Sequence, residues 1–102
     1  MPGAGIVRFD IAYGKAWGSL GMGFGTRELT ERAAKNPAFI TVLATVSGGR
    51  MVPSPGGVLV VNAEGIVIGA VGISGDIGDN DELCAIACIE KAGLRAAPKT
   101  VE

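Results

Sequence analysis

PGGVLVVNAEGIVIGAVGISGDIGDNDE, residues 55–82, is the stretch that decides the fold. Two runs rich in β-branched residues, 58–61 and 66–71, flank the turn Asn62-Ala63-Glu64-Gly65. Gly65 is free to take a positive φ, so the segment reads as a β-hairpin. Glycines then recur at Gly69, Gly72, Gly75 and Gly78. Spaced glycines mark places where a backbone bends or where another group comes close to it. The stretch ends in an acidic helix start. Asp79 or Asn80 is the expected N-cap, and Asp81 and Glu82 fall in the first turn, where the positive end of the helix dipole favours carboxylates.

Beyond it, residues 83–89 (LCAIACI) are apolar nearly all round, which predicts a helix buried on most sides. Lys91 falls near its end and Gly93 can close it as C′. The polar segment from Arg95 onward is expected to fray. Cys84 and Cys88 are the only cysteines and lie at i and i+4 on one helix face. A disulfide at that spacing has poor geometry within a regular helix. Buried free thiols are the plainer expectation; a thiolate ligand or a redox pair is the other.

On the other side of the hairpin, residues 50–55 read as extended, because Pro53 and Pro55 both block a helix. Residues 10–24 carry Tyr13, Trp17, Leu20 and Phe24 on one helical stripe, with Asp10 as the expected N-cap. Beside it runs a second stripe, Gly14, Gly18, Gly21 and Gly25. Each interior glycine costs a helix about 1 kcal/mol relative to alanine, and close approach of another backbone would offset that. Thr26 can cap a second helix over 27–35. Asn36-Pro37 suits the start of a third, with Asn36 as N-cap and Pro37 at N1; over 38–46, Ile40, Thr41, Val42, Thr45 and Val46 favour a strand, while the Asn-Pro start, Ala38, Leu43 and Ala44 favour the short helix expected here. Ser47-Gly48-Gly49 is a turn. Hairpin-linked strands with helices to one side give an antiparallel α+β layer fold, in one domain spanning residues 1–102.

Composition excludes several classes. Net charge is −1 and the nine Lys and Arg are scattered, so no basic surface for nucleic acid is expected. The apolar runs are far too short to span a membrane, and residues 1–8 lack the form of a signal peptide. A cytoplasmic location is therefore expected. There is no histidine, which excludes Ser-His-Asp and Cys-His catalysis within one chain, and imidazole ligation of zinc or haem iron.

Four motifs in order resemble the GlcG/HbpS family. They are DIAYGKA at 10–16, PGGV at 55–58, GAVGISG at 69–75, and DELC at 81–84 with AGL at 92–94. The resemblance implies a profilin-like α+β sandwich that assembles as a homo-oligomer. It also implies haem, corrinoid or small organic acids as ligands, here without histidine ligation. Typical members carry a further N-terminal helix and hairpin ahead of the first motif. The chain thus looks N-terminally shortened, with a sheet edge for a second copy or a complementing chain to cover.

The candidate ligand-binding residues are Lys15, Gly56, Gly57, Ser74, Gly75, Asp81 and Glu82. Lys15 can meet a substrate carboxylate or a haem propionate, or snorkel at the surface. Gly56 and Gly57 can offer backbone N–H groups to an anion or make a tight turn. Ser74 can bind ligand or close a local turn. Asp81 and Glu82 serve as helix-start residues, or contact a metal or a neighbouring subunit. Tyr13 and Trp17 fit a core or interface, or a stacking platform for a flat cofactor. Three functions follow: a small-ligand or tetrapyrrole-binding accessory protein, a structural subunit without ligand, or an enzyme on a hydroxy- or oxo-acid using Lys15 with a carboxylate.

Overall fold

The described residues, 7–75 and 77–98 of a computed structural model, form seven elements. They are α1 (Val7–Met22), α2 (Thr26–Lys35), α3 (Pro37–Val46), β1 (Gly57–Val61), β2 (Val67–Gly72), α4 (Gly78–Lys91) and β3 (Arg95–Ala97). The first six residues of the lead-in, Asp76 within the loop before α4, and the tail from residue 99 lie outside the described residues.

The hairpin forms as its sequence requires. Gly65 has φ +80°, and the Asn62 carboxamide oxygen accepts from the backbone N–H groups of Glu64 (3.0 Å) and Ile66 (2.9 Å), holding the turn from inside. β1 pairs antiparallel with β2, from Gly57 opposite Gly72 to Val61 opposite Val67, with an irregularity between Val60 and Val61. Its other edge pairs antiparallel with β3, giving the order β2-β1-β3. All five residues of β1 are buried, so this central strand is covered on both faces.

Strand alternation sorts the two faces. Val58 and Val60 pack with Ala85 and Ile89 of α4. On the opposite face, Gly57 and Gly72 lie against α1: a Cβ on Gly57 would sit 2.5 Å from the Lys15 carbonyl oxygen, and one on Gly72 would overlap that of Ala12. The structure is an α+β fold with helices on both faces of its sheet, not on one side as the element order implied.

Other expectations are corrected too. Residues 50–55 form no strand; the third strand is Arg95–Ala97, placed where a frayed tail was expected. Residues 53 and 55 lack an N–H, while the segment from Arg95 reaches the free edge of β1 after the turn at Gly93 (φ +82°). α1 begins at Val7, so Asp10 lies in its first turn instead of capping it. Gly25 is the N-cap of α2, and Thr26 is its first residue. Ile77 is the N-cap of α4, with Asp79 and Asp81 in the first turn. The start of α3 is as read: Pro37 opens the helix and Asn36 Oδ1 accepts from the Phe39 N–H at 3.3 Å.

The buried face of α1 is its small and polar one. Gly14, Lys15, Gly18 and Ser19 are buried, while Tyr13 and Leu20 on the apolar stripe are more than half exposed. Gly14 is closely approached within the helix: a Cβ there would meet the Arg50 carbonyl at 2.5 Å and Val52 at 2.7 Å. The stripe is only partly used, since Gly21 faces open space. α4 likewise buries one strip, through Asp81, Ala85 and Ile89. Leu83, Cys84 and Cys88 are exposed, so the expectation of buried thiols does not hold. Only one strip of α4 meets the sheet, and no described element covers the other.

α3 carries no charged residue and buries none of its ten. Its threonine hydroxyls turn back onto the helix, Thr41 donating to the Pro37 carbonyl and Thr45 to that of Thr41, each at 3.3 Å. The outward surface is therefore almost wholly apolar. Among the described residues, no helix is long and apolar enough to cross a membrane.

Candidate functional site

The residues singled out from the sequence converge at one end of the hairpin. Lys15 is 2% exposed and Asp81 3%. Lys15 Nζ donates to the Ile73 carbonyl at 2.8 Å and to Asp81 Oδ2 at 3.2 Å. The other carboxylate oxygen, Asp81 Oδ1, accepts from the Gly75 backbone N–H at 3.1 Å. One buried ion pair thus ties α1, on one face of the sheet, to α4 on the other, reaching around the end of the strands. Lys15 is not a snorkelling surface lysine.

The glycines make room for this clasp. Gly56 has φ +129°, and a Cβ there would lie 2.7 Å from Lys15 Nζ and 2.7 Å from the Ile73 carbonyl. Ile73 N–H donates to the Gly56 carbonyl at 3.0 Å, the last rung of the hairpin. Gly57 is packed between Lys15, Ser19 and Thr26. Its N–H donates to Thr26 Oγ1 at 2.8 Å, and Ser19 Oγ donates to the Lys15 carbonyl at 2.8 Å. Among the described residues, no buried side-chain polar atom lacks a hydrogen-bond partner.

Glu82 faces another way. Its carboxylate accepts from Arg27 Nε at 2.8 and 2.9 Å, and Arg27 Nη2 donates to Asp79 Oδ1 at 2.5 Å. These hydrogen bonds, to Asp79 first and Glu82 second, raise the Arg27 pKa further above its ordinary value. A second tie therefore links α2 to the start of α4. Of the seven residues, Ser74 is half-buried and Gly75 exposed. Gly75 also accepts from Arg8 Nη1 at 3.2 Å through its carbonyl.

On the adjacent face of α1, a cleft of about 350 Å3 is lined by Asp10, Tyr13, Gly14, Gly48, Gly49 and Arg50. That volume is within the range of small-ligand sites, about 300–1,000 Å3. It exists because Gly14 lets the chain at Arg50 close onto the helix, after a turn whose Gly48 and Gly49 have φ +67° and +82°. The Arg50 guanidinium lies 5.5 Å from the centre of the Trp17 ring, a cation–π contact that positions the charge. The cleft thus offers an exposed phenol, a guanidinium and a carboxylate. Sequence reading missed Arg50, whose only signal was its place after a Ser-Gly-Gly turn. It also missed Thr26, Ser19 and Arg27, whose partners are distant in sequence or on the main chain.

An antiparallel sheet between two helix layers, clasped at one end by a buried lysine–aspartate pair, defines a small α+β domain with a cleft at its surface. The family model for haem degrading protein HbpS-like matches residues 1–90, and the chain belongs to that family. No curated protein and no solved structure gave a significant match.

Proposed function

We propose that the protein is a haem-related accessory protein that binds a tetrapyrrole (haem or a corrinoid) or a smaller carboxylate ligand. Membership of the HbpS-like family is the observation that carries this reading. The cleft beside α1 supports it chemically. Arg50 can pair with a carboxylate such as a propionate. Tyr13 is 54% exposed, and a phenolate is a known type of axial ligand to haem iron. Trp17 and Tyr13 give flat apolar surface beside these polar groups. The clasp residues Lys15, Asp81, Gly56 and Gly57 serve as the frame that fixes α1, with Ser74 and Gly75 as the part of that frame a ligand can reach.

Binding is favoured over catalysis. The Lys15 amine, the obvious base or nucleophile, is buried and shared between a carbonyl and a carboxylate. Titration with haemin and with cobalamin, followed by absorbance, tests the reading. We expect a saturable change at one ligand per chain, weakened at least about tenfold by Arg50→Ala, a loss of about 1.4 kcal/mol. No response to either tetrapyrrole or to small carboxylic acids, from folded protein, overturns it. Progressive bleaching of bound haem would instead promote an enzymatic role.

The accessory protein is further proposed to assemble with a second copy of itself through α3. A face without charge brings no like-charge contact when it meets its own copy. Val42, 59% exposed, and Val46, 78% exposed, supply apolar surface that is unusual on a monomer. Light scattering of the purified chain should give a dimer or a larger oligomer, and Val42→Asp should return it to a monomer. A monomeric wild type at high concentration counts against this.

A further inference from the structure

Cys84 and Cys88 form an exposed pair that neither the clasp nor the cleft uses. They lie one turn apart on α4, three residues before Lys91 in the case of Cys88. Side chains at i and i+4 have Cβ atoms about 5–6 Å apart. A disulfide needs them at about 3.5–4.5 Å, so a bridge would require the helix to distort. A metal ion held between two sulfurs has a looser demand. With metal–sulfur bonds near 2.3 Å, two thiolates on opposite sides of one ion lie about 4.6 Å apart, which side chains on this spacing can span with the helix intact.

We propose that Cys84 and Cys88 bind one soft monovalent d10 cation, of which Cu(I) is the physiological example. Thiolates select such ions over harder ones. Low coordination suits the surroundings: the described residues include no group of three or more His, Cys, Asp or Glu that could hold a metal. Structural zinc, which takes four protein ligands, is therefore a poor match. Cys88 lies close enough for its charge to be the first cause that raises the Cys84 pKa, ahead of desolvation. A cation between them removes that repulsion. On binding, two S–H bonds break, two metal–sulfur bonds form and two protons go to solvent. No electron is transferred. The resulting unit carries one negative charge, which Lys91, at i+3 from Cys88, is spaced to offset. The inference stands apart from the haem reading and uses none of its residues.

Anaerobic titration with Cu(I) against a chromophoric competing chelator tests it on the whole chain. The expected result is one ion per chain, with affinity lowered more than about 100-fold in both Cys84→Ser and Cys88→Ser, beyond what loss of an outer-shell partner costs. Both positions are exposed, so the variants should keep the wild-type circular dichroism. Two ions per chain, with each single variant still binding one, would overturn the proposal, as would failure to compete at all. So would mild oxidation that removes two hydrogens from the monomer and leaves helicity unchanged, because the spacing would then favour a disulfide.

Discussion

Asp81→Ala is expected to lower the unfolding free energy by about 3–5 kcal/mol, the largest effect of any single substitution at the clasp. The reason is the partner left behind. Lys15 is 2% exposed, and among the described residues its ammonium without Asp81 retains only the Ile73 carbonyl. Total stability for a domain is about 5–15 kcal/mol, so the variant should be barely folded, with its urea midpoint or melting temperature sharply reduced. Lys15→Met should cost less, because the Asp81 carboxylate left behind keeps the Gly75 N–H and lies in the first turn of α4, where the helix dipole favours a negative charge. The double variant Lys15→Met/Asp81→Leu removes both charges and should recover most of the loss. Replacing a buried pair by apolar groups is often neutral or better, although the Gly75 N–H loses its acceptor, at about 1 kcal/mol. Denaturation of all four proteins closes a double-mutant cycle. Near-additive single effects would mean that the two charges do not depend on each other.

Gly72→Ala should be nearly as damaging for a different reason. A methyl group there would overlap the Ala12 carbonyl and sit 2.8 Å from the Ala16 nitrogen, both backbone atoms of α1. No side chain can swing away, so the helix must lift from the sheet. We expect a loss at or above the upper end of the about 1–3 kcal/mol usual for overpacking. Gly69, three residues earlier on the same strand, faces open space and is the control. Gly69→Ala should leave stability within about 0.5 kcal/mol. Equal effects at the two glycines would mean that strand propensity governs them and not helix contact.

The hairpin was legible because its signals are local: β-branched runs, an Asn-initiated turn and a glycine that takes positive φ. The α3 start was legible for the same reason, with Asn36 and Pro37 adjacent in sequence. β3 was not. Arg95–Ala97 has no strand pattern of its own and is fixed by pairing to β1, more than thirty residues away. The face of α1 was misread by its aromatic stripe. Periodicity locates a face, but it cannot tell that Gly14, Gly57 and Gly72 make the opposite, glycine-lined side the one that touches backbone. Lys15, Asp81, Gly56 and Gly57 were recognisable as belonging together only through the family resemblance. That they satisfy one another depends on distances across 66 residues of chain, which no spacing rule carries. The exposed thiols of α4 show the converse limit, since an all-apolar helix was expected to be surrounded and this one is covered on a single strip.

In the proposed function, the clasp frames α1 on one side and the cleft beside Arg50 takes the ligand on the other. Haemin titration of three folded proteins separates the two roles: wild type, Arg50→Ala, and Lys15→Met/Asp81→Leu. Binding that weakens at least tenfold in Arg50→Ala and persists in the clasp double variant is the predicted result. Binding that is unchanged in Arg50→Ala and abolished in the folded double variant would contradict it, and would return the ligand to Lys15.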